Sequence, residues 1–143
     1  MDHPLIARLL LSLLCLIQGI ATLSIDLNRT HATNPLWPRH ARFHLVWQTF
    51  STVLFCAAEI AIVWWKGPFE QQRFYLAALL ASLPLLAFLI ALASRAIYGG
   101  ALSDPNGIPP VRLTILRRTL HIDVNLAAVL VGLLVVMVAV FIE

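Results

Sequence analysis

Four long apolar runs divide the chain, separated by shorter polar segments. They cover residues 5–25, 45–65, 74–94 and 120–142, and each reaches the length of about 20 residues that a helix needs to cross the hydrocarbon core of a bilayer. Apolar residues make up 60% of the 143 positions and charged residues only 12%, unlike soluble domains. The pattern predicts an all-α fold, an integral membrane four-helix bundle in which residues 1–143 form a single domain surrounded by lipid.

Basic residues are distributed unevenly between the two predicted membrane faces. Loop one (residues 27–43), loop three (95–119) and their flanks contain Arg29, Arg39, Arg42, Arg95, Arg112, Arg117 and Arg118, whereas Arg8, Lys66 and Arg73 lie at the opposite face. This excess of positive charge predicts that loops one and three are cytoplasmic. We expect a bacterial inner-membrane protein. The net charge of +3 follows from this placement and does not predict nucleic-acid binding.

Polar residues recur at helical spacing within the first two runs. Gln18, Thr22 and Asp26 follow four-residue steps, so they share one face of helix one. A longer stripe on helix two contains His40, His44, Gln48, Ser51, Phe55 and Glu59. Because polar groups are costly in lipid, both stripes are expected to face other helices or a cavity.

The richest chemistry is predicted at the end of the bundle that carries loop one. The ends of helices one, two and four bring Asp26, His31, His40, His44, His121, Asp123 and Asn125 to one level of the membrane. The four-residue spacing of His40 and His44 places two imidazoles within reach of one metal ion or substrate. We predict His40, His44 and Asp26 as catalytic residues, and His40, His44 and His121 as a transition-metal set. Alternatively, these histidines only form hydrogen bonds with loop carbonyls or lipid phosphates.

Further residues complete this hypothesis. Trp37, Gln48, Tyr98 and Asn125 are predicted to bind a small lipophilic substrate at the same end of the bundle. Glu59 and Arg8 are expected to be buried charges near the opposite face, and an ion pair between them would hold the bundle together. In the alternative role, Glu59 is the carboxylate of a proton relay or cation site.

Three resemblances bear on function. The run Thr30-His-Ala-Thr-Asn-Pro-Leu-Trp-Pro-Arg-His-Ala-Arg-Phe-His44 resembles the signature of a family of small four-helix membrane proteins of uncharacterised function. The placement of Asp26 and Glu59 resembles that of the paired acids of the emopamil-binding and sigma-2 receptor family, which implies a cationic amine or sterol ligand. Trp37-Pro38-Arg39-His40 is similar to a run, one residue longer, of styrene oxide isomerase. That likeness implies haem b on His40.

These observations lead to three hypotheses. The first is a membrane protein that binds, and as an enzyme isomerises, a small lipophilic molecule at the loop-one face. The second is a non-catalytic structural or accessory subunit. The third is a small transporter or proton-conducting homo-oligomer that uses Glu59.

Overall fold

Four helices account for most of the structure. The computed structural model describes residues 3–103, 109–115 and 118–143; Arg117, counted above among the basic residues of loop three, lies outside these ranges. The helices are α1 (His3–Asp26), α2 (Arg39–Trp64), α3 (Glu70–Ser94) and α4 (Val124–Ile142). All four are long and apolar enough to cross a membrane, which confirms the prediction of four helices with the length and composition of membrane spans.

The first three helices extend beyond the apolar runs that predicted them. Helix α2 has 26 residues, or about 39 Å at 1.5 Å per residue, and its first turns contain the polar residues of the His40–His44 segment. Hydropathy marks only the part of a helix that suits hydrocarbon, so it underestimates a helix whose ends are polar. Pro38 directly precedes α2, where its missing N–H removes no helical hydrogen bond.

The helices form a ring in which each one packs against the next. α1 contacts α2 and α4, and α3 contacts the same two helices from the other side. Consecutive helices are antiparallel, so the C-terminal ends of α1 and α3 lie level with the N-terminal ends of α2 and α4. We call this the loop-one end, and the opposite end of the bundle the Arg8 end.

Small side chains let the helices approach closely. Ala7, Ala77, Ala81 and Ala139 are fully buried among the helices. Gly132 of α4 is also buried, and a Cβ atom at this position would lie 3.0 Å from Leu85 and 3.5 Å from Leu14. Close packing of small residues is one source of helix association in lipid, where apolar side chains gain little by leaving the hydrocarbon.

A β-hairpin interrupts the all-helical pattern. Strands β1 (Val111–Ile115) and β2 (Arg118–Ile122) pair antiparallel, with Val111 opposite Ile122 and Leu113 opposite Leu120. The prediction that helix four begins at residue 120 is therefore wrong. The residues before 123 alternate apolar and polar with β-branched members, which favours a strand, and their apolar content resembles the start of a transmembrane run.

Asp123 marks where α4 begins. Its Oδ1 accepts a hydrogen bond of 2.9 Å from the Leu126 backbone N–H, the contact expected of a helix N-cap. His121, predicted at the opening of helix four, consequently lies in β2 and is exposed.

Replacement of Gly132 by Leu should destabilise the bundle. The larger side chain would force Leu85 and Leu14 away from α4, and overpacking of this kind typically costs about 1–3 kcal/mol. The thermal unfolding temperature in detergent should fall for Gly132→Leu and remain unchanged for Val131→Leu, because Val131 is exposed on the same helix. Equal unfolding temperatures for the two variants would contradict the packing described here.

Candidate functional site

Loop one has a defined conformation set by its own polar side chains. Asn34 is buried; its Nδ2 donates to the Thr30 carbonyl at 3.2 Å and its Oδ1 accepts from the Leu36 N–H at 3.0 Å. Asn28 Oδ1 accepts from the Thr30 N–H at 2.8 Å. Such Asx contacts satisfy backbone groups that a loop leaves unpaired. They fix the path of the chain between α1 and α2.

His31 and Trp37 pack together within this loop. The two rings meet edge to face with centroids 5.3 Å apart, and His31 Nδ1 lies 2.7 Å from Thr30 Oγ1. The contacts of Trp37, predicted to bind substrate, are therefore with the loop itself. The contact stabilises the approach to α2.

His40 and His44 form a close pair on the first turns of α2. Their Nε2 atoms are 2.9 Å apart and their ring centroids 4.4 Å apart. A hydrogen bond between two neutral imidazoles requires one to donate and the other to accept. One hydrogen atom therefore lies between the two Nε2 atoms. The His44 ring also stacks on Trp47 at 5.8 Å. All three residues are exposed on the outside of the bundle.

The pair offers two ligands to a metal. At metal–nitrogen bonds of about 2.0–2.1 Å, two nitrogens at a tetrahedral angle lie about 3.3 Å apart, so a small rotation of either ring would open the pair around an ion. His121 does not complete the predicted set: among the described residues, no three His, Cys, Asp or Glu side chains are grouped closely enough to hold a metal. Any remaining ligands would be water or groups from outside the chain.

Asp26 faces the interior of the bundle. Its Oδ2 accepts a hydrogen bond of 3.2 Å from Thr49 Oγ1, and Thr49 is fully buried between α1 and α2. The Thr49 hydroxyl also lies 2.9 Å from the Leu45 carbonyl. Asp26 therefore links α1 to α2 at the loop-one end. Asp26 forms no hydrogen bond with His40 or His44 among the described residues, so its predicted role beside them stays a prediction.

Tyr98 and Asn125 meet at a cavity between α3 and α4 at the loop-one end. The cavity has a volume of about 250 Å³ and is lined by Phe88, Ala91, Leu92, Arg95, Tyr98, Gly100, Ala101, Leu102 and Asn125. The Tyr98 hydroxyl donates to the Ala91 carbonyl at 2.8 Å, which holds the ring across the end of α3. Two of the four predicted substrate-binding residues are thus brought together, whereas Gln48 is exposed on α2 and does not line this cavity.

His40 does not line this cavity either. Haem b, which the likeness to styrene oxide isomerase implies, needs a largely apolar slot around its axial ligand. The His40 ring is exposed and engaged with His44, so within one chain the surrounding residues do not fit that group.

The structure corrects the predicted Arg8–Glu59 ion pair. Arg8 instead lies 3.2 Å from Glu70 and 3.8 Å from Glu143, and Glu59 Oε2 accepts a hydrogen bond of 3.2 Å from the Cys15 thiol. The physical reason is helix register. Cys15 stands opposite Glu59, and Arg8 is seven residues earlier, about 10 Å further along α1.

Glu59 itself is only 2% exposed, as predicted for a buried charge. Cys15, Ser12 and Thr49, by contrast, were missed as partners of the polar residues on these two helices. The signal was present in the spacing: the steps of three or four residues that link Gln18, Thr22 and Asp26 continue backwards through Cys15, Ser12 and Arg8. We call these six residues the α1 polar stripe.

Comparison with known proteins adds no further assignment: no family model, curated protein or solved structure matches this chain.

A metal titration tests what the histidine pair can bind. We expect the purified protein to bind one Cu²⁺ at the pair, because imidazole is a preferred ligand of this ion, with nitrogen couplings in its electron paramagnetic resonance spectrum. His40→Ala and His44→Ala should each weaken binding by about tenfold or more. His31→Ala is the matched control, since His31 packs inside loop one. Undiminished affinity in both pair variants would contradict the prediction.

Proposed function

We propose that this chain is a membrane protein that binds a small lipophilic molecule at its loop-one end, in the cavity between α3 and α4. The observation that carries the proposal is the composition of the cavity wall. Phe88, Ala91 and Leu92 provide an apolar surface, and Arg95, Tyr98 and Asn125 add polar groups to it. An apolar wall with a few converging polar groups is typical of small-molecule sites.

The volume limits the size of the ligand. About 250 Å³ lies just below the range of about 300–1,000 Å³ typical of sites for drug-sized ligands. The cavity is also partly open, because Ala91, Tyr98 and Ala101 are exposed. A molecule dissolved in the bilayer could therefore enter without a movement of the helices, and a longer tail could remain in lipid.

The polar residues that line the cavity determine which ligand head groups it can bind. Arg95 NH1 donates to the Leu92 carbonyl, which leaves further guanidinium N–H groups to donate, and the Asn125 amide can both donate and accept. These groups suit an oxygen-bearing head such as an alcohol, ketone or epoxide. Isomerisation by His40 or His44 is not part of the proposal, because neither residue lines the cavity.

Photolabelling tests the site. The probe is an alkyl diazirine of about ten carbons with a ketone head, applied to protein in lipid bilayers and mapped by mass spectrometry. We expect labels concentrated on residues 88–102 and on the first turn of α4. Ala91→Phe should abolish this enrichment by filling the cavity, and the matched control Ala93→Phe, on an exposed position of the same helix, should retain it.

Replacement of Arg95 by Gln should weaken binding of the ketone probe by about tenfold, because a hydrogen bond from a charged donor contributes about 1.5–3 kcal/mol. A pure hydrocarbon diazirine should bind both proteins equally. Labels spread evenly over the lipid-facing residues of all four helices would overturn the proposal and favour a structural or accessory subunit.

A further inference from the structure

The α1 polar stripe (Arg8, Ser12, Cys15, Gln18, Thr22 and Asp26) crosses nearly the whole membrane. From its first to its last member it covers about 27 Å at 1.5 Å per residue, close to the thickness of about 30 Å of a hydrocarbon core. Each turn of α1 therefore contributes one polar side chain on the same side. A stripe of this length is unusual, because every unsatisfied polar group in lipid costs several kcal/mol.

Three members of the stripe have partners on α2. Ser12 Oγ accepts from Trp64 Nε1 at 2.8 Å, the Cys15 thiol donates to Glu59 at 3.2 Å, and Asp26 accepts from Thr49 at 3.2 Å. The stripe thus faces the α1–α2 interface, and Glu59 is part of it. Among the described residues, Glu59 forms no ion pair within 4.0 Å.

Gln18 differs from these three members of the stripe. Both polar atoms of its side-chain amide, Oε1 and Nε2, are buried and have no hydrogen-bond partner among the described residues. Gln18 lies one turn from Cys15, on the side toward Asp26. A buried amide with two unmet polar atoms is a site for bound water, which typically forms two to four hydrogen bonds to such groups.

The side chains on the two sides of Glu59 along the bundle differ in polarity. Toward the loop-one end lie Gln18, Thr22 and Asp26. Toward the Arg8 end, the buried apolar side chains Leu11, Val63 and Phe74 form one hydrophobic cluster with Cys15, and Arg8 with its acidic partners lies beyond it.

We propose that Glu59 is a proton-exchange site that communicates with the aqueous phase at the loop-one end, through Asp26, Thr22 and water held by Gln18, and that the buried apolar cluster closes the route toward the Arg8 end. A proton taken from bulk water at Asp26 passes along bound water and attaches to a carboxylate oxygen of Glu59, giving a carboxylic acid. Release follows the same route in reverse. The site therefore stores one proton and does not conduct protons across the membrane.

The titratable neighbours of Glu59 are few. The Cys15 thiol faces it from α1, and the Cys56 thiol precedes it by one turn on α2 and is buried. From α3, the buried residues are Phe74, Ala77, Ala78, Ala81 and Leu85, none of which titrates. A protonation change at this position can therefore be assigned to Glu59 once the two thiols are replaced by serine as a control.

Infrared spectroscopy of the full chain in phosphatidylcholine bilayers tests the proposal. Across a series from acid to alkaline pH, we expect a carboxylic acid C=O band that is absent from Glu59→Gln. When H₂O is replaced by D₂O, this band should shift as Glu59 exchanges its proton. Gln18→Leu and Thr22→Val should each slow the shift by about an order of magnitude, whereas Ser12→Ala, on the closed side, should leave its rate unchanged.

Two readouts separate this role from a structural one. Gln18→Leu replaces an amide that has no hydrogen-bond partner within the protein by an apolar group of similar size, so its unfolding temperature should be unchanged or higher, while its exchange is slower. Exchange as fast in Gln18→Leu and Thr22→Val as in the wild type would overturn the proposal. So would equal slowing in Ser12→Ala, or a band that Glu59→Gln does not remove at any pH.

Discussion

Polar groups inside a bilayer have no water to bind, so they must find partners within the protein, and in this chain they do so mainly between α1 and α2. Asp26 meets Thr49 at the loop-one end, Cys15 meets Glu59 deeper in the bundle, and Ser12 meets Trp64 near the Arg8 end. All three contacts are formed at the same relative position of α1 and α2 along their axes, which is the register of the two helices. A shift of one helix along the other would break all of them at once, so the polar stripe fixes how the two helices align. The ring of helices, and the level of each loop, depend on that alignment.

This alignment also explains why the candidate site residues lie at separate positions around the bundle. Asp26 is drawn into the interface by Thr49, the His40–His44 pair projects outward from α2, and Tyr98 and Asn125 line a cavity between α3 and α4. All of them lie at the loop-one end, as the sequence predicts, but at different positions around the bundle. A cavity lined by apolar side chains and a few polar groups supports binding of a lipophilic molecule, whereas the buried carboxyl of Glu59 supports proton exchange. Neither proposal requires the histidine pair.

Much of the fold was predictable because hydropathy reports directly on the bilayer. The four helices and the inward position of Glu59 follow from apolar run length and from the cost of polar groups in lipid. The hairpin of β1 and β2 was not predicted, because the hydropathy of a short apolar segment beside a transmembrane run does not distinguish it from that run. The partners of Arg8 and Glu59 were also missed. Depth counted along each helix does not give the relative register of two helices, which depends on side-chain contacts such as Trp64 with Ser12.

Disulfide cross-linking of α1 to α2 tests this register most directly. A Cβ atom at Gly19 would lie 3.6 Å from the Cβ of Cys56, within the range of about 3.5–4.5 Å found in disulfides. In a Cys15→Ser background, Gly19→Cys should therefore form a disulfide with the native Cys56 under mild oxidation, and Leu16→Cys and Ile20→Cys, on exposed positions of α1, should not. Peptide mapping by mass spectrometry identifies the bond. Cross-linking of Cys56 to position 16 or 20 in place of 19 would contradict the alignment that brings Cys15 to Glu59 and Asp26 to Thr49.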